Sequence, residues 1–229
     1  ALLLSIVYGE QSAVRGFIGA IIITLIIAAI MYVLCRNAVK RFYAREGLVC
    51  VGMSWIALSI MGCLPFFISR EIPDFLDALF EIVSGFTTTG SSILTDVEAL
   101  SHGLLYWRSF SHWLGGMGVL VFLLAVVTRD RGGSGFTMHI LRAESPGPNV
   151  GKLVPKMHTT ARILYVIYVL LTIINVVFLL FGGMPVFEAV CTAMGTAGTG
   201  GFGIKNDSIA GYSPYLQNVC TVFMLLFGV

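Results

Sequence analysis

Apolar residues along the chain gather into long blocks separated by short polar stretches. Phe17 to Cys35 is uncharged and rich in Ile, Leu and Ala. At about 1.5 Å of helical rise per residue it covers most of a hydrocarbon core of about 30 Å, which predicts a spanning helix. Leu48 to Ile68 predicts a second, broken near its end by Pro65, and Ser109 to Val127 a third whose polar members are mostly small. Thr160 to Phe181 predicts a fourth, with Arg162 at one end and Asn175 inside. Asn218 to Val229 reads as the start of another span and Ala1 to Tyr8 as the tail of an earlier one, so the chain reads as a fragment of a longer protein.

Two blocks depart from this template. Phe75 to Phe86 is apolar but contains Asp77 and Glu81, and as a helix of about 18 Å it is too short to cross. Pro185 to Ala197 has the same character, with Glu188 near its start. Each runs into a string rich in Gly and Thr and then a polar loop before the next span. Asp77-Ala78 and Glu188-Ala189 stand 111 positions apart, as do Gly90 and Gly201, so aligning the acids also aligns the glycines. The repeated unit is span, short helix, Gly-rich stretch, span. The chain therefore divides into a leading transmembrane hairpin over 1–44, a first unit over 45–128, a connection over 129–158 and a second unit over 159–229.

Composition sharpens the class. Of 229 residues, 57% are hydrophobic and 11% charged, against the roughly one-quarter charged content of soluble domains. The lipid bilayer is the implied solvent. A formal charge of +2 offers no surface for nucleic acid, and the five cysteines form no CxxC pair and read as small buried hydrophobes. Basic residues gather at Arg36, Lys40, Arg41 and Arg45, and again at Arg129, Arg131, Arg142, Lys152, Lys156 and Arg162. Region 69–106 between them holds Arg70 alone against six acids. The positive-inside rule places the basic loops in the cytoplasm and both Gly-rich strings on the outer side, as re-entrant segments of parallel repeats in a multi-pass cell-membrane protein.

The strings suggest an ion path. Irregular backbone at membrane depth is tolerated only where it is buried in protein or lines water, because unpaired N–H and C=O groups cannot face lipid. Glycine permits left-handed dihedrals and close approach to the carbonyls, while Thr and Ser add hydroxyl acceptors. Carbonyls around Thr88, Thr89 and Gly90, with those around Gly200 and Gly201, can therefore replace the hydration shell of a cation. Ser91, Thr199 and Phe202 complete the candidate set. An ordinary Gly/Thr turn between helices is the plain alternative, which the recurrence disfavours.

Asp77 and Glu188 stand where a carboxylate caps a short helix or draws cations to a vestibule. Glu81, one turn further in, calls for a buried partner. Arg108 reads as a snorkelling interfacial residue, with pairing to a carboxylate as the alternative. His102 and His112 read as packing or interfacial residues, and Trp107 and Trp113 as anchors. Gly115-Gly116-Met117-Gly118 reads as a surface for close helix packing. Asn175 needs a polar partner or a water-filled path.

Ser84-Gly85-Phe86-Thr87-Thr88-Thr89-Gly90-Ser91-Ser92, with Trp107-Arg108-Ser109 and His112-Trp113-Leu114-Gly115-Gly116-Met117-Gly118, closely resembles the first pore repeat of the Trk/Ktr/HKT potassium transporter superfamily, nearest its bacterial TrkH-type membrane subunits. Thr199-Gly200-Gly201-Phe202-Gly203 resembles the second pore string, and Leu141 to Pro148 the intracellular connection leading to it. The resemblance implies an all-α integral membrane fold of repeated helix, pore helix, filter loop and helix units, potassium-channel-like, with about two of four repeats present. It implies one filter glycine per repeat, Gly90 first and Gly201 second, with Gly200 a rival by a one-residue gap. The family moves potassium inward, some members with sodium, commonly as a homodimer under a cytoplasmic nucleotide-binding regulatory subunit.

Potassium uptake through a central filter is thus the expected function, with no organic cofactor and no enzyme chemistry. A secondary transporter of another solute with a broken-helix midplane site is the first alternative. A membrane enzyme would need convergent nucleophile, base or metal ligands, which the isolated His102 and His112 do not supply.

Overall fold

The predicted spans become helices that start before their apolar blocks, but the third, expected over Ser109 to Val127, runs from His102 and ends at Gly116. In the computed structural model, which describes residues 1–36, 44–118 and 157–228, these are α1 (Leu2–Val7), α2 (Gln11–Cys35), α3 (Ala44–Ser69), α4 (Phe75–Phe86), α5 (His102–Gly116), α6 (Met157–Phe181), α7 (Val186–Ala197) and α8 (Pro214–Gly228). The short helices α4 and α7 take the apolar blocks predicted for them almost residue for residue. Among the described residues, three helices are long and apolar enough to cross a membrane: Gln11–Cys35, Val49–Ser69 within α3, and Arg162–Phe181 within α6. The chain is a multi-pass, all-α membrane bundle. Lys40, Arg41, the basic residues from 129 to 156, the Leu141 to Pro148 connection and the end of the third predicted span lie outside the described residues.

Pro65 does not break α3, which continues to Ser69. A proline removes one backbone donor, but in a membrane bundle neighbouring helices compensate the local loss. Here α2 lies directly against it: a Cβ at Gly16 would come within 2.6 Å of the Pro65 carbonyl oxygen, and one at Gly19 within 3.2 Å of Ile68. Small residues on α2 thus let the two backbones approach closely. The opposite face of α2, with Ile18, Ile22 and Leu25, is exposed and suits lipid.

α5 is central, packing on α4 of its own unit and on α7 of the next. Its start is held by acids from elsewhere in the chain. Glu10, between α1 and α2, accepts from the backbone N–H of His102 at 2.7 Å and of Gly103 at 3.0 Å, and lies 2.9 Å from His102 Nδ1. Glu71 accepts from Ser101 N at 2.7 Å and from Ser12 Oγ at 3.1 Å. Free N–H groups and the positive end of the helix dipole favour carboxylates at this position. Tyr8 stacks on the His102 ring at 4.2 Å.

Candidate functional site

Both short helices end in the same way. After α4 the chain turns through Thr88 at φ +56° and Gly90 at φ +74°; after α7 it turns through Thr199 at φ +59° and Gly201 at φ +73°. A left-handed conformation is unfavourable for a β-branched residue and is retained only where the surroundings impose it. Its appearance at Thr88 and Thr199, 111 positions apart, extends the sequence repeat to the backbone. It also makes Gly201, rather than Gly200, the conformational counterpart of Gly90.

At the end of α4 the hydrogen bonds form a Schellman pattern: Thr88 N donates to Gly85 O and Thr89 N to Ser84 O, both at 3.0 Å. The end of α7 begins alike, with Thr199 N donating to Thr196 O at 3.0 Å. It then diverges. Gly200 N donates to His112 Nε2 at 3.1 Å, and Gly201 N takes the helix carbonyl of Gly195 at 3.3 Å.

The two loops touch. A Cβ on Gly90 would collide with the Gly200 carbonyl oxygen, and one on Gly200 with the Thr88 carbonyl oxygen. Adjacent glycines on α5 seat them. A side chain at Gly115 would strike the Phe86 carbonyl oxygen and lie 3.0 Å from Thr88 Cγ2, while one at Gly116 would lie 3.0 Å from Gly198 Cα. The packing role expected of this glycine run is therefore met at both helix ends. Among the described residues, no donor reaches the carbonyl oxygens of Thr88, Thr89, Gly90, Thr199, Gly200 or Gly201. Thr87 and Thr89 are exposed and share a hydroxyl contact at 2.8 Å; Ser91 and Thr199 are also exposed. The Phe202 side chain turns inward and is 2% exposed, so only its backbone is in line with the rest.

Behind the first loop lies a buried ion pair. Glu81 is fully buried and accepts from Arg108 Nε at 2.5 Å, Ser92 Oγ at 3.0 Å and Ile93 N at 3.0 Å. Arg108, 3% exposed, also donates from Nη1 to the Gly203 carbonyl at 2.5 Å, and its guanidinium lies 3.7 Å over the Phe202 ring. The snorkelling reading of Arg108 is thus replaced by its alternative. A charge this far from solvent needs a partner, and Glu81 supplies it. One guanidinium ties the loop after α4 to the loop after α7. The outer loops are joined again at Asn206, which accepts from Val97 N at 2.7 Å and donates to Asp96 at 2.8 Å.

The cap of α4 is Asp74, not Asp77: its Oδ1 accepts from Leu76 N at 2.8 Å and Asp77 N at 3.2 Å. Asp77 sits in the first turn, where the dipole still favours it. Glu188 is likewise in the first turn of α7, makes no cap bond, and accepts from Tyr212 Oη at 2.6 Å with Lys205 Nζ at 3.5 Å. Burial, and then this bond to Glu188, raise the Tyr212 pKa above the usual phenol value. A cavity of about 100 Å³ opens behind the second loop, lined by Thr192, Thr196, Gly201, Phe202, Cys220 and Met224 among others. Asn175 is fully buried, and neither amide atom has a partner among the described residues.

The candidate loop residues are thus brought together in one place. Sequence reasoning held each half of the Glu81–Arg108 pairing without joining them, and missed the His112 contact to Gly200. The first had a signal, since an acid in one apolar helix and a base in the next each required a partner. The second had none, because a histidine in an apolar block looks the same whether it packs or accepts.

A family model described as TrkH, cation transport protein, matches residues 14–229. The Trk system potassium uptake protein TrkH of Salmonella typhimurium is 36% identical over 231 residues, covering 99% of this chain and 47% of that protein. The Trk system potassium uptake protein TrkG of Escherichia coli is 35% identical, covering 98% and 46%. The crystal structure of the potassium transporter TrkH from Vibrio parahaemolyticus superposes with a TM-score of 0.78 at 28% identity, over 98% of this chain and 44% of that one. The chain spans about half the length of the relatives it matches.

Proposed function

Because the chain belongs to the TrkH family of cation transport proteins, we propose that it supplies part of a selective potassium path through the cell membrane. Residues 45–128 and 159–229 act as two of four pore repeats, with α4 and α7 as pore helices and the loops after them as filter segments. The leading hairpin over 1–44 flanks them and 129–158 connects them. Backbone carbonyls near Thr88, Thr89, Gly90, Gly200 and Gly201 coordinate the dehydrated ion, with Ser91, Thr199 and the Phe202 backbone flanking them.

The observation that carries this reading is the pair of touching loops of matching conformation whose carbonyl oxygens lack donors. Such oxygens are stable at membrane depth when something polar occupies them. The α4 and α7 C-termini direct negative dipole ends toward the same place, which favours a cation. Coordination must offset dehydration yet stay weak enough for the ion to leave. No bond is made or broken, so the protein is not an enzyme.

The filter loops face the outside and the basic stretches face the cytoplasm, in keeping with the charge asymmetry. Sodium accompanies or competes with potassium, and the full protein pairs as a homodimer under a cytoplasmic nucleotide-binding regulator. Rubidium or potassium flux into vesicles bearing the full-length protein tests the reading. Gly90→Ala should lower that flux by about tenfold or more, as a barrier increase of roughly 1.4 kcal/mol requires. A flux driven by another solute and indifferent to Gly90 would instead favour the broken-helix transporter.

A further inference from the structure

The two loops leave their helices with the same dihedrals but hand their next amide to different acceptors. After α4, the amide following the left-handed residue, Thr89 N, returns to the helix carbonyl of Ser84 at 3.0 Å. After α7, the equivalent amide, Gly200 N, does not return to Gly195. It goes to His112 Nε2 at 3.1 Å, and Gly201 N occupies Gly195 O at 3.3 Å. The imidazole stands in for a carbonyl of the helix itself.

The ring is placed for this purpose and no other on view. His112 is fully buried, and its ring lies 4.9 Å from that of Phe202. It also occupies the space a side chain would need at two successive glycine positions. A Cβ at Gly198 would lie 2.7 Å from Nε2, and one at Gly200 would lie 2.6 Å from the same atom. The spacing Gly198-Thr199-Gly200 thus has a steric cause in one residue of the other repeat. Since Nε2 accepts, the ring proton belongs on Nδ1, which is buried and has no partner among the described residues.

A trans peptide points its C=O opposite to its N–H. Fixing Gly200 N–H toward His112 therefore fixes the Thr199 carbonyl away from it. Without that acceptor the amide can swing back to Gly195 O, the arrangement the first loop already adopts, and the Thr199 and Gly200 carbonyls would turn with it. Gly200 O is the oxygen packed against Gly90. Both loops would feel the change.

We infer that His112, on α5 of the first unit, is the positioning residue for the second loop, aiming the Thr199 and Gly200 carbonyls by accepting the Gly200 amide. The functional part of this inference rests on the potassium-path reading above; the hydrogen bond does not.

Two measurements on the full-length protein test it. In the first, potassium and sodium flux into vesicles are compared for wild type, His112→Leu, His112→Gln and the control Gly90→Ala. His112→Leu should lower the potassium-to-sodium ratio roughly tenfold, the scale of one lost hydrogen bond. His112→Gln, which keeps an acceptor of similar reach, should restore most of it, which a merely space-filling role would not predict. An unchanged ratio in His112→Leu beside a lost ratio in Gly90→Ala overturns the inference while the path reading stands. An unchanged ratio in Gly90→Ala overturns the path reading itself. In the second, nitrogen-15 magnetic resonance of the wild type should show a neutral ring protonated at Nδ1, with coupling between Nε2 and the Gly200 amide. A ring protonated at Nε2 overturns the inference whether or not the variants reach the membrane.

Discussion

Set side by side, the loop after α4 and the loop after α7 share φ angles within 3° at both left-handed positions, yet what stands behind them differs. Counting 111 positions on, Glu81 falls opposite Thr192. Counting from the starts of α5 and α8, Arg108 falls opposite Cys220 and His112 opposite Met224. The first loop is thus held by a buried carboxylate that accepts three hydrogen bonds from Ser92 and Ile93, while the second has neutral groups at the matching positions, beside a cavity of about 100 Å³, and reaches the charge pair through the Arg108 bond to Gly203. A backbone shape can be kept while its support is exchanged. The first unit also lends support outward, through Arg108 to Gly203 and His112 to Gly200. The second returns bonds of both kinds: Tyr168 Oη donates to the Trp113 carbonyl at 2.9 Å, and Asn206 Oδ1 accepts from Val97 N at 2.7 Å.

Three pairs of substitutions would break or sharpen that contrast. Arg108→Leu leaves the Glu81 carboxylate buried without its cation and should destabilise the full-length protein by about 3–5 kcal/mol, whereas Thr192→Val should stay within about 1 kcal/mol. Thermal unfolding in detergent measures both, and equal losses would end the idea of unequal support. Gly90→Ala and Gly201→Ala each place a Cβ in left-handed backbone, at about 1–2 kcal/mol. Only at Gly90 does the new atom meet a backbone carbonyl; at Gly201 it meets the Met224 methyl at 3.3 Å. Gly90→Ala should therefore be the more damaging by roughly 1–3 kcal/mol, read as melting temperature and ion flux together. The smallest effect is expected for Cys220→Met, which extends into the cavity and should change stability by under about 1 kcal/mol. The same change at Cys191, fully buried and not among the residues lining that cavity, should cost about 1–3 kcal/mol. If Cys220→Met is the worse of the two, the space behind the second loop is filled by other means.

The parts legible in the sequence were those whose cause is local. α4 and α7 could be read almost to the residue because a short apolar block with an acid at its start and a Gly/Thr string at its end leaves little choice. Pro65 looks like a helix end in the sequence because the helix-breaking rule weighs one lost donor and ignores the neighbour, and Gly16 of α2 lies 49 positions upstream. Asp77 was favoured as a cap because it matched Glu188 in the repeat, yet Asp74 lies where its oxygen meets the first free amides. Repeat logic selects what two units have in common, so it could not show the features that only one of them carries. Glu81, Arg108 and His112 are of that kind.

The carboxylate of Glu10 has a consequence beyond its own neighbourhood. It grips the first amides of α5 from the leading hairpin, and the far end of the same rod, about 22 Å away, cradles both loops on consecutive glycines. A tug on the hairpin would arrive at the two loops as a rotation or slide of a single stiff strut. α1 and α2 thereby gain mechanical purchase on loops they do not themselves touch at that end of the rod.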